Sequence, residues 1–396
     1  MRALAVFGIF LRLGLTSFGG PIAHLAYFRT AFVTQRKWLS EAEYADLVAL
    51  CQFLPGPTSS QVGFAIGRRR AGLAGALAAF IGFTAPSFGL MLAAAYGLAA
   101  LDADVTAPFV MGLKIAAVAI VLHAVVGMAR ALCPDWPRRA FAIVVAAGLL
   151  ATSHPAAQIA AIALGLLAGP LISPSPPAAA PVSTAPARGR AIAIAAAILF
   201  ALGLLLPAIA AQSDADGIAA LFQAFFRAGA LVFGGGHVVL PLLESAISAQ
   251  GWMTQSQILT GYAAAQALPG PLFALSAYLG AMASAGPGGA LGALAATIAI
   301  FAPGFLLLLA AEPLWARLRT TPSAQRAIAG ANAAVVGLLA AALINPIALS
   351  AIPRLVDAAV AVGLFLLLQF GRAPPLAVVA LGALAGYALS LAAPFL

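Results

Sequence analysis

The sequence predicts an all-α, polytopic integral membrane protein made of two inverted-topology repeats with broken or re-entrant helical hairpins. Three observations carry this reading. Of 396 residues 63% are hydrophobic and only 8% charged, too few ionisable groups to cover a soluble domain of that size. Charge-free windows recur at 72–98, 141–153 continuing through 156–172, 191–211, 286–311, 327–351 and 375–396, as bilayer helices require. The motif order of the first third of the chain also returns about 215 positions later.

Helices rather than strands are expected, because Ala, Leu and Gly dominate and no alternating polar pattern occurs. The opening stretch 3–15 has the character of a signal h-region. It runs on into TSFGGP without a small-residue cleavage site, so it reads as retained. The 2 cysteines, Cys51 and Cys133, match no metal-ligand or disulfide spacing and read as small apolar residues. A formal charge of +9 without interleaved basic and aromatic runs argues against nucleic acid and for membrane orientation plus an anionic cargo.

The repeat is legible residue by residue. FFRAGALVFGGG at 225–236 aligns with FLRLGLTSFGGP at 10–21, placing Arg227 on Arg12 and Gly229 on Gly14. Trp252 then falls on Trp38, Gln266 on Gln52, and Pro269-Gly270-Pro271 on Pro55-Gly56-Pro57, while IFAP at 300–303 answers GFTAP at 82–86. The expected organisation is a first repeat plus two accessory helices at 1–172, a Pro-rich cytoplasmic linker at 173–190, a connecting transmembrane helix at 191–216 and a second repeat at 217–396. Short loops in the first half carry Arg29, Arg36, Lys37 and Arg68 to Arg70, whereas their counterparts hold Glu244, Gln250 and Gly251. The following loop reverses the bias, with Asp102 and Asp104 in one half against Arg317, Arg319 and Arg326 in the other. The positive-inside rule then predicts opposite orientations, with the N-terminus cytoplasmic and the C-terminus periplasmic; Arg354 alone falls on the wrong side.

With those loops cytoplasmic, 3–28 and 38–67 must each enter and return. Their arms of a dozen to fifteen residues reach roughly 18–22 Å, less than the ~30 Å hydrocarbon core. Hairpins tipped at SFGGP and FLPGP follow, with Gly supplying the turn and Pro opening the next half-helix. Full crossing of a thinned bilayer is the alternative. Either way, broken helices expose N–H groups that lipid cannot satisfy, and half-helix N-termini attract an anion. The first half begins its returning helices at Pro21 and at Pro57-Thr58-Ser59-Ser60-Gln61. The second begins at Gly236-His237 and Pro271-Leu272-Phe273 with almost no hydroxyls, which weights the expected site toward the first half.

Polar residues at depth supply the remaining candidates. Arg12 and Arg227 lie about two turns before their tips, where snorkelling is the bland reading and anion binding the functional one. Lys114 lies some nine residues into a span and faces the neutral repeat mate Asn332. Ser40-Glu41-Ala42-Glu43 and Thr254-Gln255-Ser256-Gln257 are capping boxes, which makes Glu43 structural. Asp46 and His24 are proton-relay candidates, each with a structural alternative: a helix-dipole partner for Asp46 and a packing histidine for His24. Gln52 and Gln266, placed just before the two PGP tips, suggest a polar cavity. The substrate-binding set is Arg12, Ser17, Gly19, Gly20, Gln52, Pro55, Gly56, Pro57, Thr58, Ser59, Ser60 and Lys114, with Arg227, Gly234, Gly235, His237, Gln266, Gly270 and Asn332. No catalytic residue, cofactor or metal is expected.

FGGP near the N-terminus, RKWL at 36–39, PGP at 55–57 and a degenerate second copy ending in ALPGP together resemble the chromate ion transporter family in its long two-domain form. The resemblance covers roughly 4–133 and 218–345. It implies export of chromate across the bacterial inner membrane, conferring chromate resistance and driven by the membrane potential or proton gradient, with sulfate as a close mimic. Motif residues carried over are Gly19, Gly20, Arg36, Trp38, Pro55, Gly56 and Pro57; Gln250-Gly251 departs from the basic pair Arg36-Lys37. The implied partners are chromate or sulfate and membrane lipid, with a homodimer left open. The expected transport cycle rocks one repeat against the other. A sulfate or other oxyanion transporter, an anion channel and a membrane-embedded enzyme are the competing classes. The enzyme lacks a paired-carboxylate metal motif or a nucleophile with its base.

Overall fold

The computed structural model describes residues 2–18, 20–100, 103–152, 157–174, 190–210, 214, 216–233, 238–318, 320–371 and 373–392. The described residues form helices and connecting turns, with no strand among them. Helix α1 spans Arg2–Thr16, α2 Gly20–Arg29 with a π turn at Thr30–Gln35, α3 Glu41–Phe53 and α4 Thr58–Ala100. They are followed by α5 Ala103–Leu132, α6 Trp136–Leu150, α7 Ala157–Ile172, α8 Arg190–Ala210 and α9 Ile218–Leu231. Next come α10 Val239–Ser248, α11 Gln255–Ala267, a 3-10 turn Leu272–Ala274 leading into α12 Leu275–Met282, and α13 Gly289–Ala311. The chain ends with α14 Trp315–Leu318, α15 Pro322–Ala342, α16 Leu349–Ala351, α17 Leu355–Gln369 and α18 Pro375–Ala392.

Among the described residues, four helical stretches are long and apolar enough to cross a bilayer: Thr58–Gly97, Ala107–Leu132, Gly289–Leu314 and Pro322–Ala351. The first is really two helices. Ala71 and Gly72 leave helical geometry, Gly72 at φ 63°, and divide α4 into a short arm 58–70 and a long rod 73–100. Arms α1, α3, α9 and α11 have 13–15 residues, about 20 Å each and less than the ~30 Å hydrocarbon core. Their starts are set locally. Ser40 caps α3 in a reciprocal box with Glu43, and Thr254 caps α11 in the same box with Gln257.

The two halves share an element order and exchange contacts reciprocally. The α6–α7 pair of the first half packs on α15 of the second, and the α17–α18 pair of the second packs on α5 of the first. Glycines sit at both crossings, because only a bare Cα lets two backbones approach so closely. Gly330 of α15 lies against Gly165 and Gly169 of α7, and Gly112 of α5 against Gly382 and Gly386 of α18. The long rod 73–100 and α13 run antiparallel. Phe80 meets Phe301 and Phe305 at centroid distances of 5.0 Å, and farther along the Tyr96 hydroxyl lies beside Gly289. At the other end of α13, Glu312 pairs with Arg68 at the end of the first-half arm, and the Trp315 indole donates to Asp46 at 3.0 Å.

An aromatic knot of Phe10, Phe28, Phe32 and Phe83 joins α1 and α2 to the long rod, with centroids 5.0–5.6 Å apart. Trp38 stacks on Phe32, and the Arg70 guanidinium lies 4.8 Å above its ring, so this motif tryptophan works as a packing and cation–π anchor.

Gly330→Ala places a methyl group against the Gly165 backbone and, as overpacking, should cost about 1–3 kcal/mol. The expected result is a lower thermal midpoint in detergent. Gly148→Ala, with open space around the added carbon, should leave that midpoint unchanged.

Candidate functional site

The two Pro-Gly-Pro turns are linked through Ser17 and His24: Ser17 O accepts from Gly270 N–H, and His24 bridges that carbonyl to Ser59, two residues past Pro57. Gly56 at φ 124° and Gly270 at φ 96° occupy backbone that side chains resist, which fixes glycine at both tips. Each tip is held by the other half. Gly56 N–H donates to Val232 O at 2.7 Å, just past α9, and Gly270 N–H donates to Ser17 O at 2.9 Å, just past α1. Gly56 also abuts Gly304 of α13, and Gly270 abuts Ser87 of the long rod. The buried Gln61 side chain completes the first tip by donating from Nε2 to Pro55 O at 3.0 Å and Gly304 O at 2.9 Å.

Ser17 is fully buried and its carbonyl serves two donors, Gly270 N–H and His24 Nε2 at 3.2 Å. Because that carbonyl only accepts, Nε2 carries a proton, and a neutral ring then accepts at Nδ1 from Ser59 Oγ, 3.3 Å away. His24 thus stitches the SFGGP tip to the start of α4, with its ring edge-on to Phe83 at 5.2 Å. Four buried polar atoms on the segments that this stitch joins or packs on have no protein partner: Ser17 Oγ, Ser60 Oγ, Gln61 Oε1 and Thr84 Oγ1. An orphaned buried group costs about 1–3 kcal/mol, so a cluster of them marks a place where a further hydrogen-bonding species belongs. Ser59 and Ser60 are buried in the first turn of α4, where the leading N–H groups lack intrahelical partners.

The other sequence-predicted residues are dispersed. Pro57 is buried in the first tip, while Pro55 and Thr58 are half-buried. Arg12 and Arg227 are exposed. Arg12 lines a separate cavity of about 300 Å³ with Thr16, Gln35 and Arg36, and the Arg36 guanidinium is turned to Ala31 O. Gln52 is exposed, whereas Gln266 is half-buried and hydrogen-bonds Tyr262, so the two amides share no cavity. One residue further along a helix turns a side chain by about 100°, and motif equivalence alone does not give its facing. Lys114 is half-buried with no carboxylate in ion-pair range among the described residues, and its mate Asn332 keeps an orphaned Oδ1. Asp46 accepts from Trp315 and so ties the two halves together. Gly20 opens α2 at φ 76°. Gly19, Gly234, Gly235 and His237 lie outside the described residues. No group of three or more His, Cys, Asp or Glu suited to a metal occurs among the described residues.

Sequence reasoning passed over Gln61, Thr84 and Ser87. The repeat comparison held a signal for the first. Gln61 aligns with Leu275 at the separation that aligns the PGP turns, and an unshared amide beside a shared break marks a special environment.

These features define an all-α polytopic membrane protein in which broken helices from two similar halves converge on a buried polar knot. A family model described as Chromate transporter matches residues 4–170 and 219–387, and the chain belongs to that family. It is 30% identical over 270 residues to a chromate transport protein of Pseudomonas aeruginosa, covering 67% of this chain and 63% of that protein. It is 31% identical over 267 residues to a probable chromate transport protein of Synechococcus elongatus, covering 66% and 65%. A chromate transport protein of Cupriavidus metallidurans is 25% identical over 274 residues, covering 69% and 65%. The chain thus spans a little under two thirds of the length of these relatives. No solved structure matches.

Gln61→Leu removes both bonds and leaves Pro55 O without this donor, while Gly304 O keeps its place in the α13 ladder. A loss of about 1–3 kcal/mol is expected, read as a lowered thermal midpoint. An unchanged midpoint contradicts the bracing role.

Proposed function

We propose that this protein is a secondary carrier that exports chromate from the bacterial cytoplasm across the inner membrane and thereby confers chromate resistance. The observation that carries the reading is the knot of orphaned buried hydroxyls, Ser17 and Ser60, at the N-terminus of α4 where the two broken tips meet. Hydroxyls and first-turn N–H groups are donors, and a tetrahedral dianion offers acceptors in every direction. Gln61 Oε1 is an acceptor and would serve a water or a protonated oxygen at the edge of the site. Lys114 and Arg12 supply positive potential along the route rather than direct contacts in the knot. His24 is occupied at both ring nitrogens and acts as a brace. The names of the three relatives point to chromate as the cargo. Sulfate competition is the measure of selectivity.

The two halves are proposed to have inverted topology, with Arg68 and Glu312 on the cytoplasmic face. Support comes from the antiparallel run of the long rod and α13, which hold equivalent places in their halves, and from the pairing of Arg68 with the far end of α13. Single cysteines test this, since native Cys51 and Cys133 are buried. Ala71→Cys and Thr320→Cys should label from one side of oriented vesicles and Ser284→Cys from the other. Labelling of Ala71→Cys and Ser284→Cys from the same side would mean parallel repeats.

Radiolabelled chromate uptake into inverted vesicles tests transport itself. A hydrogen bond to a charged group is worth about 1.5–3 kcal/mol, so Ser60→Ala should weaken apparent chromate affinity roughly ten- to hundredfold. Lys114→Ala and Arg12→Ala should slow uptake, and Ala-Ala-Ala at 55–57 should abolish it by healing the break. Unaltered uptake in the triple-alanine variant would sink the broken-tip mechanism.

A further inference from the structure

A second cavity, of about 510 Å³, lies away from the central knot, where the end of α6 and the start of α7 meet α10, α15 and the turn at 343–348. Its lining is apolar except for Glu244, Gln158, Ser245, Ser248, Asn345 and Thr152. Among the described residues Glu244 is the one titratable or charged side chain on the lining, and none of the five contributing elements brings a cation to it. The neighbouring neutral groups are largely committed. Ser245 Oγ donates to Gln158 Oε1 at 3.0 Å, and Gln158 Nε2 donates to Pro241 O at 3.3 Å. Ser248 Oγ is buried and unpartnered, and thus free to bond a carboxyl group in either protonation state. A partly buried carboxylate that meets no cation among the described lining residues is stabilised by taking up a proton. One carboxylate with two committed neutral oxygens is too sparse a ligand set for a metal ion.

We propose that Glu244 is a proton-binding site that couples substrate movement to the proton gradient. This deepens the carrier reading and rests on it. In each cycle one proton from water on one side adds to a Glu244 carboxylate oxygen, giving the neutral acid, and leaves from that oxygen to water on the other side. The cavity is well placed for coupling. Glu244 stands on α10, which packs against α9 and α11, and these helices flank the chain at Val232 and Pro269 that forms the central knot. Filling or emptying the charge changes how tightly α10 seats between α9 and α15.

The test uses the full-length protein in proteoliposomes with chromate, comparing counterflow, which needs no gradient, with accumulation under an imposed pH gradient. One coupled proton changes the wild-type accumulation ratio about tenfold per unit of imposed gradient. Glu244→Gln, a mimic of the neutral form, should keep counterflow and lose that response. A wild-type response in Glu244→Gln overturns the proposal, as does wild-type accumulation that follows a sodium gradient at constant pH. Absence of counterflow in the wild type would instead sink the carrier reading. If Glu244→Gln lacks counterflow, Glu244→Asp decides. Restored counterflow with a displaced pH profile supports proton binding. An undisplaced profile, or an inert Asp variant, assigns Glu244 to packing and overturns it.

Discussion

Two short backbone hydrogen bonds hold the centre of this molecule. Gly56 donates to Val232 and Gly270 to Ser17, so each broken turn is completed by a carbonyl from the opposite half. Lipid offers no substitute for such a bond, and interrupted backbone survives at membrane depth only when protein, water or cargo satisfies it. The constraint propagates outward. Positive φ fixes the two glycines, the tight approach to Gly304 and Ser87 fixes the facing rods, and Gln61 braces the first tip against both neighbours. What the tips leave unsatisfied is equally determined. The buried hydroxyls of Ser17, Ser60 and Thr84 have no partner within the protein.

Much of this architecture was legible because duplication writes it twice. The matched Pro-Gly-Pro turns announced the breaks, and the two capping boxes fixed the starts of α3 and α11 to the residue. Side-chain facing was not legible. Gln52 and Gln266 hold equivalent positions, yet one is exposed and the other bonds Tyr262, because the facing of a helical residue depends on which neighbour packs there. The reciprocal exchange of α6–α7 and α17–α18 was equally hidden. Both glycine pairs were visible as strings, but a string does not name its partner helix. Of the polar residues around the first tip, Ser17, Ser59 and Ser60 were singled out from the sequence, while the bracing amide of Gln61 was passed over.

The halves diverge where the chemistry does. The first half supplies His24, Ser59, Ser60 and Gln61 to the knot, and the second answers the last three with Phe273, Ala274 and Leu275, which pack rather than bond. One copy thus keeps the polar work while its partner supplies a rigid apolar counterface. The second half contributes Glu244, on α10, to a separate cavity between the halves; α10 is the counterpart of the helix that bears His24.

The exchanged packing also limits how such a carrier can move. Rocking one repeat against the other, the expectation from its two-repeat sequence, would slide α7 across α15 and α18 across α5. Both surfaces are glycine crossings with backbone nearly touching backbone, and close-packed interfaces of that kind hold or jump rather than shear gradually. The short arms are no freer: α1 crosses the long rod with Gly14 against Phe83 O and Gly82 against Phe7 O, and Gly229 of α9 lies against Ile300 O of α13. Arg68 to Glu312 and Asp46 to Trp315 fasten one arm pair at its outer end, while the glycine turns hinge it at the inner end. Under the proposed carrier reading, an arm that moves about its glycine turn takes its packed rod with it, so α1 travels with the long rod and α9 with α13.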